Sequence, residues 1–296
     1  MFNIYLTGST GFVGKNALKY FNPKFKIHPF VNDEIINIQQ DIVLHFAGKA
    51  HDLKNISNVK DYYNVNTELT KELFDKFLDS DAKVFIILSS VKAAADELSE
   101  ELTEEYQPNP LTHYGKSKLL AEQYILSKSL PQDKRIYILR PCMIHGPGNK
   151  GNLNILFKIV NKGLPWPLGA FDNKRSFCSI DNLFFIINEL IENNQIPSGI
   201  YNIADDDPLS TNELINLIST SQGKNAKIWN IPKFIIKSFS VLGDLFKLPL
   251  NSERLSKLTE TYVVSNTKIK KALNKPLPIT STNGLMKTLN SFINNV

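Results

Sequence analysis

Cysteine is scarce in this sequence: Cys142 and Cys178 are the only two among 296 residues. Two widely spaced cysteines cannot build the disulfide framework of a small secreted scaffold. No CxxC or HxxxH spacing occurs, so a zinc site is not indicated and we expect no metal. The cysteine usage therefore favours a reducing, cytoplasmic location.

Arginine is almost as rare, since only Arg135, Arg140, Arg175 and Arg254 contribute to the 34 Lys+Arg residues. The formal net charge is +5, but the basic residues are scattered singly and form no patch in the sequence. We therefore expect no nucleic-acid partner. Because guanidinium is the planar fork that binds phosphate groups bidentately, the arginines are candidates for contacts with an anionic ligand.

Long hydrophobic runs are also missing. No run reaches the roughly 18 apolar residues that span a bilayer, and the opening FNIYL is too short and uncharged for a signal peptide. The nearest apolar run, at 231–250, is interrupted by Lys233, Lys237, Asp244 and Lys247. We predict that it forms an amphipathic helix packed on the core, in preference to a helix lying on a membrane, and we expect no membrane partner.

Short apolar runs rich in Ile, Val, Phe and Leu are present instead. They lie at 2–6, 25–31, 42–46, 83–88, 135–140 and 200–203. Their continuous apolar character predicts strands buried on both faces. Intervening segments such as 64–79 and 114–128 have a helical period. This alternation predicts an α/β fold with a parallel sheet, covered on both sides through right-handed crossovers.

Glycines recur three residues apart directly after the first strand, in TGSTGFVG at 7–14. In this context Gly8 permits a tight turn, Gly11 lets the backbone approach a pyrophosphate, and Gly14 lets the next helix pack on the strand. The first N–H groups of that helix and its dipole then face the anion. A glycine-rich turn without a ligand is the alternative. The predicted dinucleotide contacts are Gly8, Thr10, Gly11, Phe12, Val13 and Gly14.

The regular alternation of predicted strands and helices ends after residue 140, where loop-rich stretches alternate with single helices. Ser210 and Glu213 form a capping-box pattern at the start of one such helix. We predict a Rossmann-like, doubly wound dinucleotide-binding domain over 1–145, with a return segment at about 183–204. The rest of the chain, 146–182 and 205–296, is predicted to form a smaller C-terminal substrate-binding lobe over the open edge of the sheet.

Three tyrosines are followed by a lysine four residues later, which places both side chains on one helical face. The pairs are Tyr20/Lys24, Tyr114/Lys118 and Tyr124/Lys128. Pro23 ends a helix, so the first pair should not share a face, and helical rotation turns the third pair away from the second. We therefore predict that Tyr114 points into a cleft. A nearby ammonium group lowers the pKa of the phenol, so that it exchanges a proton with a hydroxyl group.

The GxxGxxG loop preceded by Thr7, followed downstream by this Tyr-Lys pair, resembles the extended short-chain dehydrogenase/reductase class. More narrowly it resembles the NAD-dependent epimerase/dehydratase family of nucleotide-sugar enzymes. In that family a Ser or Thr at a strand end precedes the tyrosine by about two dozen residues. Ser90 stands 24 residues before Tyr114, so the resemblance implies that its hydroxyl stabilises the reacting sugar oxygen. Ser89, or a mere helix-capping role, is the alternative.

Further matches follow in the order of the family's motifs. The HFAG segment at 45–48 is similar to the family's HxAG motif beside the cofactor. RP at 140–141, followed by HGPGN, is similar to the family's RPxxxYGPG motif. Arg175 corresponds to an arginine that binds the nucleotide diphosphate in the family. The catalytic set implied is Ser90, Tyr114 and Lys118. The further cofactor contacts implied are Asn32, Ala47, Gly48, Asn66, Tyr114, Lys118 and Pro141. The substrate contacts implied are Ser90, Asn154, Arg175 and Arg254, although both arginines could instead pair on the surface with Asp172 or Glu253.

Several positions depart from the family pattern. Only about ten residues, NDEIINIQQD, separate the second run from the third, so the usual third strand is lost or shortened. Asp33 would favour NAD, whereas Asn32 in that place leaves NADP as the alternative. Dehydratases of the family carry Asp-Glu after the hydroxyl residue, where this chain has Val91 and Lys92, which argues against a dehydratase.

The resemblance implies an NAD-dependent epimerase, with NADP as the alternative cofactor, acting at C4 of a UDP-sugar such as UDP-glucose or UDP-N-acetylglucosamine. Tyr114 would serve as acid and base during transient hydride transfer. An NAD(P)H-dependent reductase of a nucleotide 4-keto sugar in surface-polysaccharide synthesis is the second hypothesis. A non-catalytic NAD(P)-binding sensor or scaffold is the third. A homodimer is expected from the family alone.

Overall fold

The computed structural model describes residues 1–30, 36–49, 58–149, 151–246 and 251–293. The chain divides into two compact units. The first consists of Met1–Cys142, Ile180–Ala204 and Val264–Pro278, and the second of Met143–Ser179, Asp205–Val263 and Ile279–Val296. The segment from Val264 thus lies in the first unit, although its sequence placed it in the C-terminal lobe. It is held there by the side chain of Asn266, which donates to the Ala204 carbonyl at 3.0 Å.

A sheet of six parallel strands, in the order β2-β1-β3-β4-β5-β8, forms the centre of the first unit. The strands are β1 (Asn3–Thr7), β2 (Lys26–Pro29), β3 (Ile42–His45), β4 (Val84–Leu88), β5 (Arg135–Pro141) and β8 (Gly199–Ile203). Every residue of β3 and β4 is buried, as continuous apolar runs predict for a sheet covered on both faces. The predicted α/β fold with a parallel sheet is confirmed.

Strand β2 is the exception to the burial prediction. It pairs only with β1, so it forms the edge of the sheet. Lys26 and Pro29 at its two ends are exposed, because an edge strand has a neighbour on one side only. Within the described residues no strand lies beyond β2, which agrees with the short segment that follows it in the sequence.

Helices cover this sheet and supply most of the residues discussed below. They are α1 (Phe12–Phe21), α2 (Val59–Tyr63), α3 (Leu69–Leu78), α4 (His113–Ser127), α6 (Ile180–Glu192) and α10 (Thr267–Leu273). A π-helical turn, Asn64–Glu68, joins α2 to α3 without a break, and a 3₁₀ turn, Val91–Ala93, follows β4. Phe74, Phe77 and Phe85 pack their rings together in the core beneath α3.

The start of α4 is fixed by local hydrogen bonds. The Thr112 hydroxyl accepts the Gly115 N–H at 3.1 Å and so caps the helix. The Asp96 carboxylate in turn accepts the backbone N–H groups of Leu111 and Thr112 at 2.7 and 3.0 Å. These bonds determine where the first turn of α4, which carries Tyr114, begins.

Two other Tyr-Lys pairs are packing pairs. Lys128 Nζ lies 4.6 Å from the ring centroid of Tyr124, as expected for a packing pair. Lys24 Nζ lies 5.0 Å from the ring of Tyr20, although the two do not share a helical face, because Lys24 lies beyond the end of α1. Helix α1 does end at Phe21, but the chain turns back immediately, with Lys24 N–H donating to the Phe21 carbonyl at 2.8 Å.

The second unit contains a parallel pair of short strands, β6 (Met143–His145) and β7 (Phe177–Ser179), and five helices among its described residues. The helices are α5 (Asn152–Asn161), α7 (Thr211–Ser221), α8 (Lys233–Phe246), α9 (Ser252–Thr259) and α11 (Ser281–Ile293). The predicted capping box of Ser210 and Glu213 begins α7. In the core of the second unit, α5, α7 and α11 pack together around residues such as Phe157, Ile218 and Leu289.

Helix α8 occupies most of the apolar run at 231–250, but its orientation differs from the prediction. Its buried residues are Ile236, Ser240 and Gly243, whereas Phe234 and Leu245 are 70% and 73% exposed. The expectation that the apolar face of this helix packs on the core is therefore wrong. Within the described ranges no helix is long and apolar enough to cross a membrane.

Candidate active site

The glycine loop between β1 and α1 is built around close backbone contacts. Gly8 has φ +72°, and a Cβ there would lie 2.5 Å from the backbone of Phe46 and of Ala47. A Cβ on Gly14 would clash with the Gly8 carbonyl oxygen and lie 2.7 Å from Ser9 Cα. Gly8 and Gly14 are thus required by packing, whereas a Cβ on Gly11 would meet only Gly8 O, at 3.3 Å.

The first turn of α1 fits the phosphates of a dinucleotide. Gly11 is its N-cap, and among the described residues no side chain caps the helix. Its first N–H groups and its dipole are therefore available to an anion. Thr10 and Gly11 are exposed, while Phe12 and Val13 are half-buried beside them. The predicted contacts at 8–14 thus form a single cradle, and Asn32 lies outside the described residues.

Tyr114 stands in the first turn of α4 and contacts Ser90, which follows β4. A hydrogen bond joins the two side chains. The Ser90 hydroxyl also accepts the Lys92 N–H at 3.2 Å, so Ser90 caps the 3₁₀ turn as well as reaching Tyr114. The preference for Ser90 over Ser89 stays a prediction, and this contact supports it.

The pKa of Tyr114 differs from the expectation. Burial raises it above the ordinary value, although the hydrogen bond from Ser90 acts in the opposite direction. The expected lowering of the Tyr114 pKa by Lys118 is therefore wrong, because burial of the phenol is the larger effect. Tyr114 keeps its proton at neutral pH.

Lys118 lies one turn further along α4 and is buried. Its ammonium group donates to the Leu88 carbonyl at 2.8 Å. Burial lowers the pKa of Lys118 to about 8, although Glu122 opposes the shift. A lysine with this pKa is mostly charged at neutral pH and loses its proton in mild alkali.

Gly48, Asn66 and Lys118 meet at one point. A Cβ on Gly48 would lie 3.0 Å from Lys118 Nζ and 3.2 Å from Asn66 Oδ1. Asn66 is fully buried, and its side chain accepts the Lys49 N–H at 2.8 Å and donates to Ser117 Oγ at 3.0 Å. Asn66 thereby ties the segment after β3 to α4, and it does so from the π-helical turn. Such turns are frequent at functional sites.

His45 is held by two buried hydroxyl groups. Its ring nitrogens lie 2.7 Å from Thr7 Oγ1 and 2.8 Å from Thr70 Oγ1. Burial, and to a smaller extent the charge of Lys118, lower the pKa of His45 to about 3. His45 is therefore a neutral structural residue that fixes the HFAG segment, of which Ala47 touches Gly8 and Gly48 touches Lys118.

A buried ion pair lies behind Lys118, and the sequence did not reveal it. The Arg140 guanidinium and the Glu122 carboxylate are 2.6 Å apart and both almost fully buried. Ser89 also donates to Glu122, which gives this serine a role distinct from that of Ser90. One signal was available, since Glu122 follows Lys118 by four residues and so shares its helical face. Its partner Arg140 could be identified only from the fold.

The remaining predicted residues have other partners or belong to the second unit. Pro141 is buried at the end of β5. Arg175 forms an ion pair with Glu260, and not with Asp172, while its buried Nε has no hydrogen-bond partner among the described residues. Arg254 is exposed on α9, and its neighbour Glu253 pairs with Lys257 at 2.6 Å.

Asn154 is half-buried on α5, and its side-chain amide lies 3.4 Å from the Asn149 carbonyl. Asn154, Arg175 and Arg254 all belong to the second unit. Their assignment to a substrate stays a prediction. Of the three, Arg175 has the buried, incompletely bonded group that best suits an anionic ligand.

Comparison with known proteins gives concordant matches. The profile of the NAD dependent epimerase/dehydratase family matches residues 4–204. The chain is 30% identical over 319 residues to a UDP-glucose 4-epimerase of Vibrio cholerae, covering 98% of this chain and 95% of that protein. It is 27% identical over 293 residues to the N-acetyl-alpha-D-glucosaminyl-diphospho-ditrans,octacis-undecaprenol 4-epimerase of Escherichia coli O157:H7, covering 91% and 85%. UDP-glucuronic acid 4-epimerase of Bacillus cereus, solved in complex with NAD, has the same fold, with a TM-score of 0.76 over 99% of each chain at 18% identity.

Proposed function

This chain belongs to the NAD-dependent epimerase/dehydratase family, and we propose that it interconverts the C4 epimers of a UDP-sugar. The resemblance seen in its motifs is thereby confirmed, and the chain is an NAD(P)-dependent enzyme of the sugar epimerase and reductase type. The observation that carries the finer proposal is the hydrogen bond between Ser90 and Tyr114, one helical turn before the buried Lys118.

The cofactor would be held by the glycine cradle and by the cluster of Gly48, Asn66 and Lys118. The cradle offers N–H groups to the pyrophosphate, and the Lys118 ammonium offers a donor to the ribose. When bound, the nicotinamide supplies the acceptor and donor of the hydride at the sugar C4. Glycine is needed at position 48, because even a Cβ there would crowd the side chains of Lys118 and Asn66.

Proton transfer falls to Tyr114. Its phenol oxygen would exchange a proton with the 4-hydroxyl of the sugar, while the Ser90 hydroxyl donates to the same sugar oxygen. Because burial raises the pKa of Tyr114, the phenol carries its proton at neutral pH and so holds the proton that the step regenerating the alcohol requires. Its action as a base requires stabilisation of the phenolate, and the charge of Lys118 and the Ser90 hydrogen bond are the groups at hand.

The decisive experiment compares two tyrosines on the same helix. Tyr114→Phe should lower kcat for interconversion of UDP-glucose and UDP-galactose by about 10² to 10⁴, the usual effect of removing a general acid-base group. Tyr124→Phe is the matched control, because Tyr124 is also followed by a lysine four residues later but bonds Asp75 at 2.6 Å. It should leave kcat within about twofold. Equal rates for Tyr114→Phe and the parent would refute the assignment.

The cofactor balance separates the epimerase from the reductase. An epimerase interconverts its substrates without added NAD(P)H and retains its cofactor on purification. A reductase consumes NAD(P)H in proportion to a nucleotide 4-keto sugar. Strict consumption of NAD(P)H would therefore overturn the epimerase proposal while leaving the roles of Ser90, Tyr114 and Lys118 intact. Absence of turnover with every sugar tested would favour the sensor or scaffold hypothesis.

A second candidate substrate has the same sugar on a polyprenyl diphosphate carrier. It is favoured by the similarity, over most of both chains, to the E. coli 4-epimerase that is named for an undecaprenol-linked sugar. Both carriers present a diphosphate next to the sugar, so Arg175 suits either of them. Assay of polyprenyl-diphosphate N-acetylglucosamine beside UDP-N-acetylglucosamine would distinguish them, and turnover of only the lipid-linked sugar would overturn the UDP-sugar proposal.

A further inference from the structure

Helix α8 exposes apolar side chains where a helix of a globular protein would expose polar ones. Its buried stripe consists of Ile236, Ser240 and Gly243, at i, i+4 and i+7. Two of these three residues have little apolar surface to bury. The apolar side chains that are exposed instead are Phe234, Phe239, Val241, Leu242, Leu245 and Phe246.

These six residues lie on one face, which we call the α8 apolar face. Ser238 lies among them, with its hydroxyl donating to the Phe234 carbonyl at 2.9 Å. At about 100° per residue they span roughly 160° of the helix circumference, opposite Gly243 and Ser240. Scaled by side-chain size, their exposed surface is on the order of 600 Å². This lies at the upper end of the apolar patches on ordinary monomers, so the face is suited to binding.

Positive charge borders the α8 apolar face on one side. Lys233 and Lys237 lie on the flank between this face and the buried stripe, and both are exposed. Asp244 lies on the same flank, where its carboxylate accepts the Ser252 N–H at 3.0 Å, so the two lysines leave this flank positive by one charge. Trp229, 56% exposed, precedes the helix. Aromatic and Leu side chains on one face with lysines at its border are typical of helices that lie in a membrane interface.

The charge distinguishes a membrane from a second copy of this chain. An isologous contact between two α8 apolar faces would bring four flanking lysines and two Asp244 carboxylates to one interface, and the excess of positive charge disfavours it. An anionic bilayer instead complements both these lysines and the net charge of +5. At 14 residues the helix is about 21 Å long, which suits a position parallel to the membrane plane.

We propose that α8 docks this enzyme on an anionic membrane, with its apolar face among the acyl chains near the headgroups and Lys233 and Lys237 on lipid phosphates. If so, the expectation of no membrane partner is wrong. The proposal rests on the surface of α8 and does not depend on which sugar carrier is used. Its occupant is a lipid surface, and a second copy of the chain is an outcome of the test.

Flotation with lipid vesicles tests the proposal. The parent protein should float with vesicles of 60% phosphatidylcholine and 40% phosphatidylglycerol, and much less with pure phosphatidylcholine. Phe234→Ser/Leu245→Ser should abolish flotation. Leu164→Ser, which removes a leucine of the same unit that is 55% exposed and lies outside α8, is the control and should float like the parent. Lys233→Gln/Lys237→Gln should weaken binding by about fivefold per lysine at low salt.

Three outcomes would overturn the proposal. They are absence of the parent protein from the floated fraction, unchanged flotation of Phe234→Ser/Leu245→Ser, and sedimentation of the vesicle-free parent as a dimer that this double variant alone dissociates. Epimerisation of a UDP-sugar in free solution should be unchanged in the α8 variants. A failure of vesicle binding is thus distinguishable from a failure of the proposed activity.

Discussion

Replacement of Gly14 by alanine should destabilise the protein and also abolish cofactor binding. All three atoms nearest to a Cβ at this position belong to the backbone of Gly8 and Ser9, and Ser9 Cα and Gly8 C lie only 2.7 and 2.8 Å away. No side chain can rotate to relieve the clash, so α1 and the loop must separate. Overpacking of this kind costs about 1–3 kcal/mol. The gain of Ala over Gly inside a helix, about 0.5–1 kcal/mol, offsets only part of this cost.

Gly11→Ala provides the matched comparison within the same loop. A Cβ on Gly11 would approach one atom, Gly8 O at 3.3 Å, and otherwise point to open space. It should change the unfolding free energy by less than about 1 kcal/mol, while an added methyl group in the phosphate cradle still weakens the cofactor. Urea unfolding and calorimetric titration with NAD measure the two effects separately. If Gly14→Ala were as stable as the parent and bound NAD normally, the packing argument would be refuted.

Three further outcomes follow from the buried and paired charges. Burial lowers the pKa of His45 to about 3, so between about pH 6.5 and 3 the unfolded chain binds a proton that the folded chain does not. The unfolding free energy should therefore fall by on the order of 4 kcal/mol as the pH drops through that window. His45→Gln should flatten this pH dependence in urea unfolding. Glu122→Gln leaves Arg140 with its charge unpaired and should cost about 3–5 kcal/mol in the same assay, and a loss under 1 kcal/mol would contradict it. Arg175→Gln should raise KM for the diphosphate substrate roughly tenfold with kcat unchanged. Glu260→Gln, which releases Arg175 from its ion pair, should instead lower KM. Equal KM values for the parent and both variants would show that Arg175 does not bind the substrate.

The fold was predictable because its strands carry their own signal. Strand β4, and β3 apart from His45, consist of apolar residues that a two-sided sheet must bury, so their positions follow from composition alone. Strand β2 carries the same signal yet lies at the edge. An apolar run cannot report whether a neighbour exists on each side, because that depends on the segment beyond it.

The candidate site was predictable where its residues are close in sequence. The glycine loop and the Tyr114/Lys118 pair follow from spacing on one loop and one helix. The ion pair of Glu122 and Arg140 joins a helix to a strand, and no local pattern encodes that contact. The prediction for helix α8 was wrong for a related reason. An apolar period shows which side chains share a face, but it does not show whether that face packs on the core.

The π-helical turn at Asn64–Glu68 also bears on which length changes this chain can tolerate. Such a turn holds one residue more than a turn of α-helix, and its wider ring absorbs that residue without rotating the helix that follows. Loss of a single codon here would let the helix close regularly and leave Leu73, Phe74 and Phe77 in the core. The same loss would move Asn66 away from Lys49 and Ser117, which it bonds. A one-residue deletion in this part of the gene should therefore spare the fold and damage the site.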